Sequence, residues 1–340
     1  MREGRAAMLA ASAPDADAAI VAALEQRLGR VHARQRLGIE AEHEAQVFGQ
    51  GLTWFHLENV RLAPALISAV LRLTGLRRRG LRNAAAVRAV RNEVFLPERH
   101  AALDGYQLLH ISDLHADMST GAIAAAVMAL DGLDYDLCVL TGDFRGPTFG
   151  DIAPAMAGTR QLVQALRSPV LAVLGNHDSV RMTPALEAMG VQVLMNEATS
   201  FEHNGARLHV AGIDDAHFYR ADNIEKAAEL VPHDEFSILL SHTPEVYRQV
   251  AHADFDVMLA GHTHGGQICL PGGFPLTLSA RLPRRYGAGA WRHGTMQGYT
   301  SRGLGCSIVA ARFNCPPEIT LHRLVARDGA FSRDAREFPT

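Results

Sequence analysis

Cysteine is scarce in this chain: Cys138, Cys269, Cys306 and Cys315 are the four among 340 residues. None of them forms a Cys-x-x-Cys pair, so zinc-finger and thioredoxin-like chemistry are excluded. Cys138 lies inside the apolar run Leu137–Leu140 and reads as a small core side chain. We expect all four to be free thiols in a reducing compartment. No run reaches the ~18 apolar residues that a membrane-spanning helix needs. Arg2 and Arg5 precede an alanine-rich run ending Ala-Ser-Ala, but that run is short and Asp15 and Asp17 follow at once, so no secretion signal is expected. Gly-x-Ser-x-Gly, Walker and Gly-x-Gly-x-x-Gly motifs are also missing, which removes serine hydrolysis, nucleotide-dependent transfer and dinucleotide redox chemistry. With a net charge of −3, no nucleic-acid partner is expected.

One absence is local. Between Asn59 and Asn92 there is no acidic residue, while arginines stand at 61, 72, 77, 78, 79, 82, 88 and 91. Upstream, residues 18–47 read as an amphipathic helix with Leu24, Leu28 and Val31 on one face. Gly49 and Gly51 break that pattern. From Val60 to Leu76 a second helical stretch carries Leu62, Leu66, Ile67, Val70 and Leu71, with Pro64 near its start. Two readings of this block stand side by side. It is either a helical appendage with a solvated arginine face or a helix lying on an anionic membrane surface.

What is present is an ordinary globular composition, 48% hydrophobic. Beyond Pro97, short apolar runs alternate with helical segments: Gln107–Ile111, a helix near Gly121–Leu130, Leu137–Leu140, a helix near Met156–Leu166, and Val170–Leu174. Later runs are Leu208–Ile213, Ser237–Leu240, Val257–Ala260, Gly298–Thr300, Ser307–Ala310 and Ile319–Leu324. The early half reads as βαβ units and the late half as mostly strands. A domain boundary near 95–100 divides a helical N-terminal extension (1–98) from the main domain (99–328) and a tail (329–340).

Five of these strands run into polar clusters: Ser112-Asp113-Leu114-His115, Thr141-Gly142-Asp143, Gly175-Asn176-His177-Asp178, Ser241-His242 and Gly261-His262-Thr263-His264. In α/β folds the carboxyl ends of neighbouring strands share one edge of the sheet, where sites collect. Carboxylates and imidazoles suit zinc, manganese or iron, and a carboxylate can bridge two ions. Asp113/His115 and His262/His264 are each two apart, so an extended backbone sends each pair to one side. Glycines 142, 175 and 261 let the chain turn beside the ions. A lone histidine is more often structural than a ligand; an ordered series at five strand ends reverses that judgement. His110 is expected in the core, while Arg145, His217 and Asn223 are candidate substrate contacts.

The series Asp-x-His, Gly-Asp, Gly-Asn-His-Asp, His and Gly-His-x-His, between His110 and His264, resembles the calcineurin-like metallophosphoesterase superfamily. Gly265-Gly266-Gln267, Ser301-Arg302-Gly303-Leu304-Gly305 and Pro317-Glu318-Ile319 extend the likeness to a bacterial, often membrane-associated subgroup that includes UDP-2,3-diacylglucosamine pyrophosphate hydrolases. The resemblance implies a four-layer α-β-β-α sandwich of two mixed sheets, here with an N-terminal helical extension. It implies two metal ions (manganese, iron or zinc), one held by Asp113, His115, Asp143 and His264. The other would be held by Asp143, Asn176, His242 and His262, with Asp143 bridging. His177 would face the leaving group as proton donor, oriented by Asp178 from behind, while a water activated between the ions attacks phosphorus in line. The implied substrate is a phosphate ester or pyrophosphate of a small molecule or lipid. The implied place is the cytoplasm, with peripheral contact on the inner face of the membrane. A soluble cyclic-nucleotide phosphodiesterase and a weakly catalytic metal-binding scaffold are the alternatives; the intact His177 speaks against the scaffold.

Overall fold

The computed structural model describes residues 17–48, 62–167 and 169–326. The alanine-rich N-terminal run and the tail expected over 329–340 lie outside the described residues. The chain opens with helix α1 over residues 17–28 and α2 over Arg30–Phe48, and continues with α3 over Leu62–Leu73 and α4 over Arg77–Ala84. The single amphipathic helix expected over 18–47 is therefore two helices, because Gly29 takes a φ of +82° that an L-residue resists. The break also rotates the register. Leu24 and Leu28 are buried as expected, but Val31 is 80% exposed, and Ala33 and Arg36 face inward instead.

Six strands form the first sheet: β1 (Arg88–Leu96), β2 (Gln107–Ile111), β3 (Leu137–Thr141), β4 (Val170–Val173), β5 (Val191–Val193) and, last in the chain, Glu318–Ala326. The second sheet comprises β6 (Glu197–His203), β7 (Ala206–Gly212), β8 (Phe236–Leu240), β9 (Val257–Ala260), and, after the short hairpin β10 (Cys269–Leu270)/β11 (Phe274–Pro275), β12 (Gly289–His293) and β13 (Met296–Thr300). With β14 as Glu318–Ala326, the orders are β1-β14-β2-β3-β4-β5 and β12-β13-β9-β8-β7-β6. Both sheets are mixed: β2, β3, β4 and β5 run parallel, β14 is antiparallel to β2, and β6 and β12 are antiparallel edges of the second sheet.

Strand period two explains the layering. Leu109 and Ile111 of β2 pack with Leu24 of α1, Ile123 of α5 (Thr120–Ala129) and Leu162 of α6 (Ala153–Val163). Leu108, one residue over, points the other way and joins Val139, Leu171, Val210, Ile238, Leu240 and Leu259 between the sheets. On the far side of the second sheet, Leu239 and Met258 pack with Val246, Tyr247 and Val250. The result is the expected four-layer α-β-β-α sandwich.

Two local expectations change. The segment read as helical to residue 98 ends in a strand: β1 pairs in parallel with β14 along Arg88–Leu96. Residues 307–310 form no strand. They wrap the Gln267 amide, which donates to the carbonyls of Ser307, Val309 and Ala311, so a side chain satisfies the backbone that a ladder would have paired. All four cysteines are free and buried.

Candidate metal centre

The polar clusters do come together, but from two sheets rather than one edge. β2, β3 and β4 of the first sheet supply Asp113, His115, Asp143, Asn176 and His177; β8 and β9 of the second supply His242, His262 and His264. The sheets are stitched at this point by the His262 N–H, which donates to both Asp113 carboxylate oxygens at 3.0 and 3.1 Å. Pairs two apart are not presented by extended backbone. Asp113, His115, Asp143, His262 and His264 all have positive φ, between 39° and 71°. Such left-handed turns are strained for these residues and persist only where the surroundings enforce them. Here the Asp113 N–H donates to Gly142 O and the His115 N–H to Asp143 O, both at 3.0 Å. Glycine is required where the clusters touch: a Cβ on Gly261 would lie 1.8 Å from Ser112 Oγ, and one on Gly175 would lie 2.2 Å from Asp143 Oδ1.

Two groups of donors result, Asp113/His115/His264 and Asp143/His242/His262, all buried. Within the first, His115 Nε2 is 3.0 Å from His264 Nε2, which is 3.4 Å from Asp113 Oδ1. In the second, His242 Nε2 is 3.2 Å from both His262 Nδ1 and Asp143 Oδ2, and 2.9 Å from Asn176 Oδ1. Asp143 Oδ2 also lies 3.7 Å from His115 Nε2, so this carboxylate sits between the groups.

The far ring nitrogens decide what the near ones offer. His115 Nδ1 faces Arg145 O (2.8 Å), His242 Nδ1 faces Thr141 O (2.7 Å) and His262 Nε2 faces Ser279 O (2.9 Å). A carbonyl only accepts, so each of those nitrogens is N–H and the other carries a lone pair toward the centre. His262 Nδ1 then offers a lone pair toward His242 Nε2, whose own proton a shared cation would replace. Atoms bonded to one such ion at about 2.0–2.2 Å stand roughly 3 Å apart, as these do. His264 differs, with an Arg312 guanidinium nitrogen 3.3 Å from its Nδ1.

Electrostatics agree with a cation site. Burial drives the pKa of His115 down to about 4 and those of His262 and His264 well below the ordinary value, keeping these rings neutral. Burial also raises Asp113 to about 6, a cost that nearby positive charge relieves. For Asp143 burial acts upward too, but facing His242 and His177 outweigh it and hold the carboxylate ionised. The same encounter lifts His242 to about 10 against the effect of burial.

His177 stands beside the groups, its Nε2 3.9 Å from Asp143 Oδ2. Its expected partner is corrected. Thr148 Oγ1, not Asp178, meets His177 Nδ1, at 3.0 Å. The Asp178 carboxylate instead accepts from the backbone N–H groups of Phe144 and Gly175, both at 2.9 Å, which locks the β3 and β4 turns together. Arg145 is not a free substrate contact either, since its buried guanidinium donates to the carbonyls of His177, Gly150 and Thr148. His217 lies at the site: its ring is 4.3 Å from that of His262 and Nδ1 is 2.6 Å from Glu245. Asn223 is elsewhere, capping the short helix Ile224–Ala228 through Lys226 N. His110 is in the core as expected, 2.8 Å from Thr141 Oγ1. Thr148 and Arg312 were not anticipated; neither carries a spacing signal, because each reaches its histidine across a fold of the chain.

Known proteins are similar to this chain in sequence. Residues 106–266 match the family model for calcineurin-like phosphoesterases. The uncharacterized metallophosphoesterase YkoQ of Bacillus subtilis is 30% identical over 227 residues, covering 64% of this chain and 83% of YkoQ. The phosphodiesterase YaeI of Escherichia coli is 28% identical, covering 65% of this chain and 82% of YaeI. A Bos taurus transmembrane protein with a metallophosphoesterase domain is 29% identical, covering 83% of this chain and 68% of that protein.

Proposed function

This chain belongs to the calcineurin-like phosphoesterase family and is a metal-dependent phosphoester hydrolase, and from that premise we propose that it uses two metal ions to cleave a phosphodiester or pyrophosphate bond of a lipid-linked nucleotide sugar. The observation that carries the two-metal reading is the pair of donor groups with Asp143 Oδ2 between them. Asp113, His115 and His264 would hold one ion, Asn176, His242 and His262 the other, and Asp143 both. Metal ions held there would supply positive charge against the phosphoryl oxygens and a lowered pKa for an attacking water. The chain's own residues do the rest. His177 holds a proton at Nε2 for the leaving-group oxygen, with Thr148 fixing the ring at Nδ1. Arg145 and Asp178 hold the turns that carry it.

The lipid preference rests on the surface of α3 and α4. Arg72, Arg77, Arg78, Arg79 and Arg82 are exposed, and Leu66, Val70 and Leu73, one helical face, are 66%, 49% and 89% exposed. Exposed leucines beside unpaired-sign arginines suit an anionic headgroup layer. No helix among the described residues is long and apolar enough to cross a membrane, so the contact would be peripheral.

The test is a substrate panel for the purified, manganese-loaded chain: p-nitrophenyl monoester, diester, cyclic nucleotides, and UDP-sugar pyrophosphates with and without acyl chains. Faster turnover of the acylated pyrophosphate is expected. Hydrolysis confined to cyclic nucleotides would replace the lipid reading with a soluble phosphodiesterase, and no turnover of any ester would leave a scaffold.

A further inference from the structure

Helix α2 reaches the site from outside the family-matched residues. Arg36 is fully buried, a placement that leaves a guanidinium costly unless it is paired and hydrogen-bonded. Its Nε donates to both Asp214 carboxylate oxygens at 3.2 and 3.1 Å, its Nη1 to Glu40 at 2.6 Å and its Nη2 to the Asp178 carbonyl at 3.3 Å. Its Cζ lies 3.6 Å over the ring of Tyr219. Glu40, one turn on, accepts from Ser179 Oγ at 2.6 Å and from the Val180 N–H at 2.7 Å. Asp178, Ser179 and Val180 directly follow His177, and none of the three lies in a strand. Asp214 opens the loop that carries His217.

We propose that α2 is a positioning element of the reaction centre, in which Arg36 and Glu40 clamp residues 178–180 and thereby fix where His177 points. The physical reason is leverage. Asp143 and Arg145 take the His177 N–H and carbonyl, and α2 adds three polar contacts within three residues of the ring. A shift of about 1 Å in a proton-transfer group can lower a rate by about a hundredfold. Asn176, on the same loop, keeps its own contact with His242 Nε2 at 2.9 Å, and the other metal ligands are held by their own turns, so loosening the clamp should spare the metal.

The proposal rests on His177 acting at the leaving group, and the experiment separates the two ideas. Glu40→Ala, His177→Ala and the double variant are assayed in the full, manganese-loaded chain on two esters, one with p-nitrophenol and one with an alkyl alcohol as leaving group. His177→Ala alone should lose roughly 10²–10⁴-fold on the alkyl ester and much less on p-nitrophenol. An equal loss on both would remove the reading of His177 and the clamp's purpose with it. Given that dependence, Glu40→Ala should lower kcat about tenfold on the alkyl ester, with KM and bound manganese unchanged. In the His177→Ala background it should cost about twofold or less, because neighbours acting through one group are not additive. Glu40→Gln, whose amide oxygen can still accept from the Val180 N–H while its NH2 donates to Ser179 Oγ, should restore most of kcat. Additive losses, or loss of metal, would overturn the clamp while leaving His177 in place. Should Glu40→Ala unfold, Ser179→Ala carries the same cycle.

Discussion

Arg36 of α2 and the arginines of α4 are treated in opposite ways. Arg36 of α2 is drawn fully inside, because Asp214 and Glu40 wait for it with fixed geometry. Arg77, Arg78, Arg79 and Arg82 of α4 stay in water, because no acidic residue lies within that stretch of sequence and the helix turns Gly80 and Asn83 inward instead, toward Ala311, Arg312 and Phe313. A buried cation needs carboxylates placed to meet it, and an unmatched one remains at the surface, available to an external anion. The candidate metal centre extends the first case: its carboxylates and the lone pairs of its neutral rings converge on one buried space that favours positive charge.

The harshest way to break the inward case is Asp143→Asn. A neutral amide bridges two cations poorly, so metal analysis should find both ions lost or depleted and turnover reduced by orders of magnitude on every substrate. Two ions retained at full activity would overturn the shared-carboxylate assignment.

The outward case is sharpened by Arg77→Gln, Arg78→Gln and Arg79→Gln together. Each arginine near an anionic surface contributes about 1 kcal/mol, fading within a Debye length. The triple variant should therefore bind anionic vesicles about a hundredfold more weakly at low salt, measured by co-sedimentation, with activity on soluble esters unchanged. If the unaltered chain ignores such vesicles at low salt, the helices are an appendage and the lipid preference loses this support.

The smallest effect tests the register of the N-terminal helices. Val31→Ser, at a position 80% exposed, should change unfolding stability by no more than about 0.5 kcal/mol. Leu24→Ala, fully buried, should cost about 2–5 kcal/mol in the same denaturation experiment. Comparable losses would restore the continuous helix that Gly29 interrupts.

The strands and the candidate donors were legible from sequence because they depend on local chemistry. An apolar run of five residues ending in a polar cluster, as in Gln107–Ile111 before Asp113 and His115, needs no knowledge of distant partners to be read as a buried strand feeding a site. The glycines at 142, 175 and 261 and the order of the ligands belong to the same class of signal. Tertiary structure alone decided the rest. It drew the donors from two sheets and turned Asp113, His115, His262 and His264 through left-handed backbone instead of extended chain. It gave Thr148 rather than Asp178 to the ring of His177, and set Arg36 against Asp214, 178 residues away. Those pairings follow from which segments the packed sheets and helices bring into hydrogen-bond reach, and separation along the chain carries no trace of that distance.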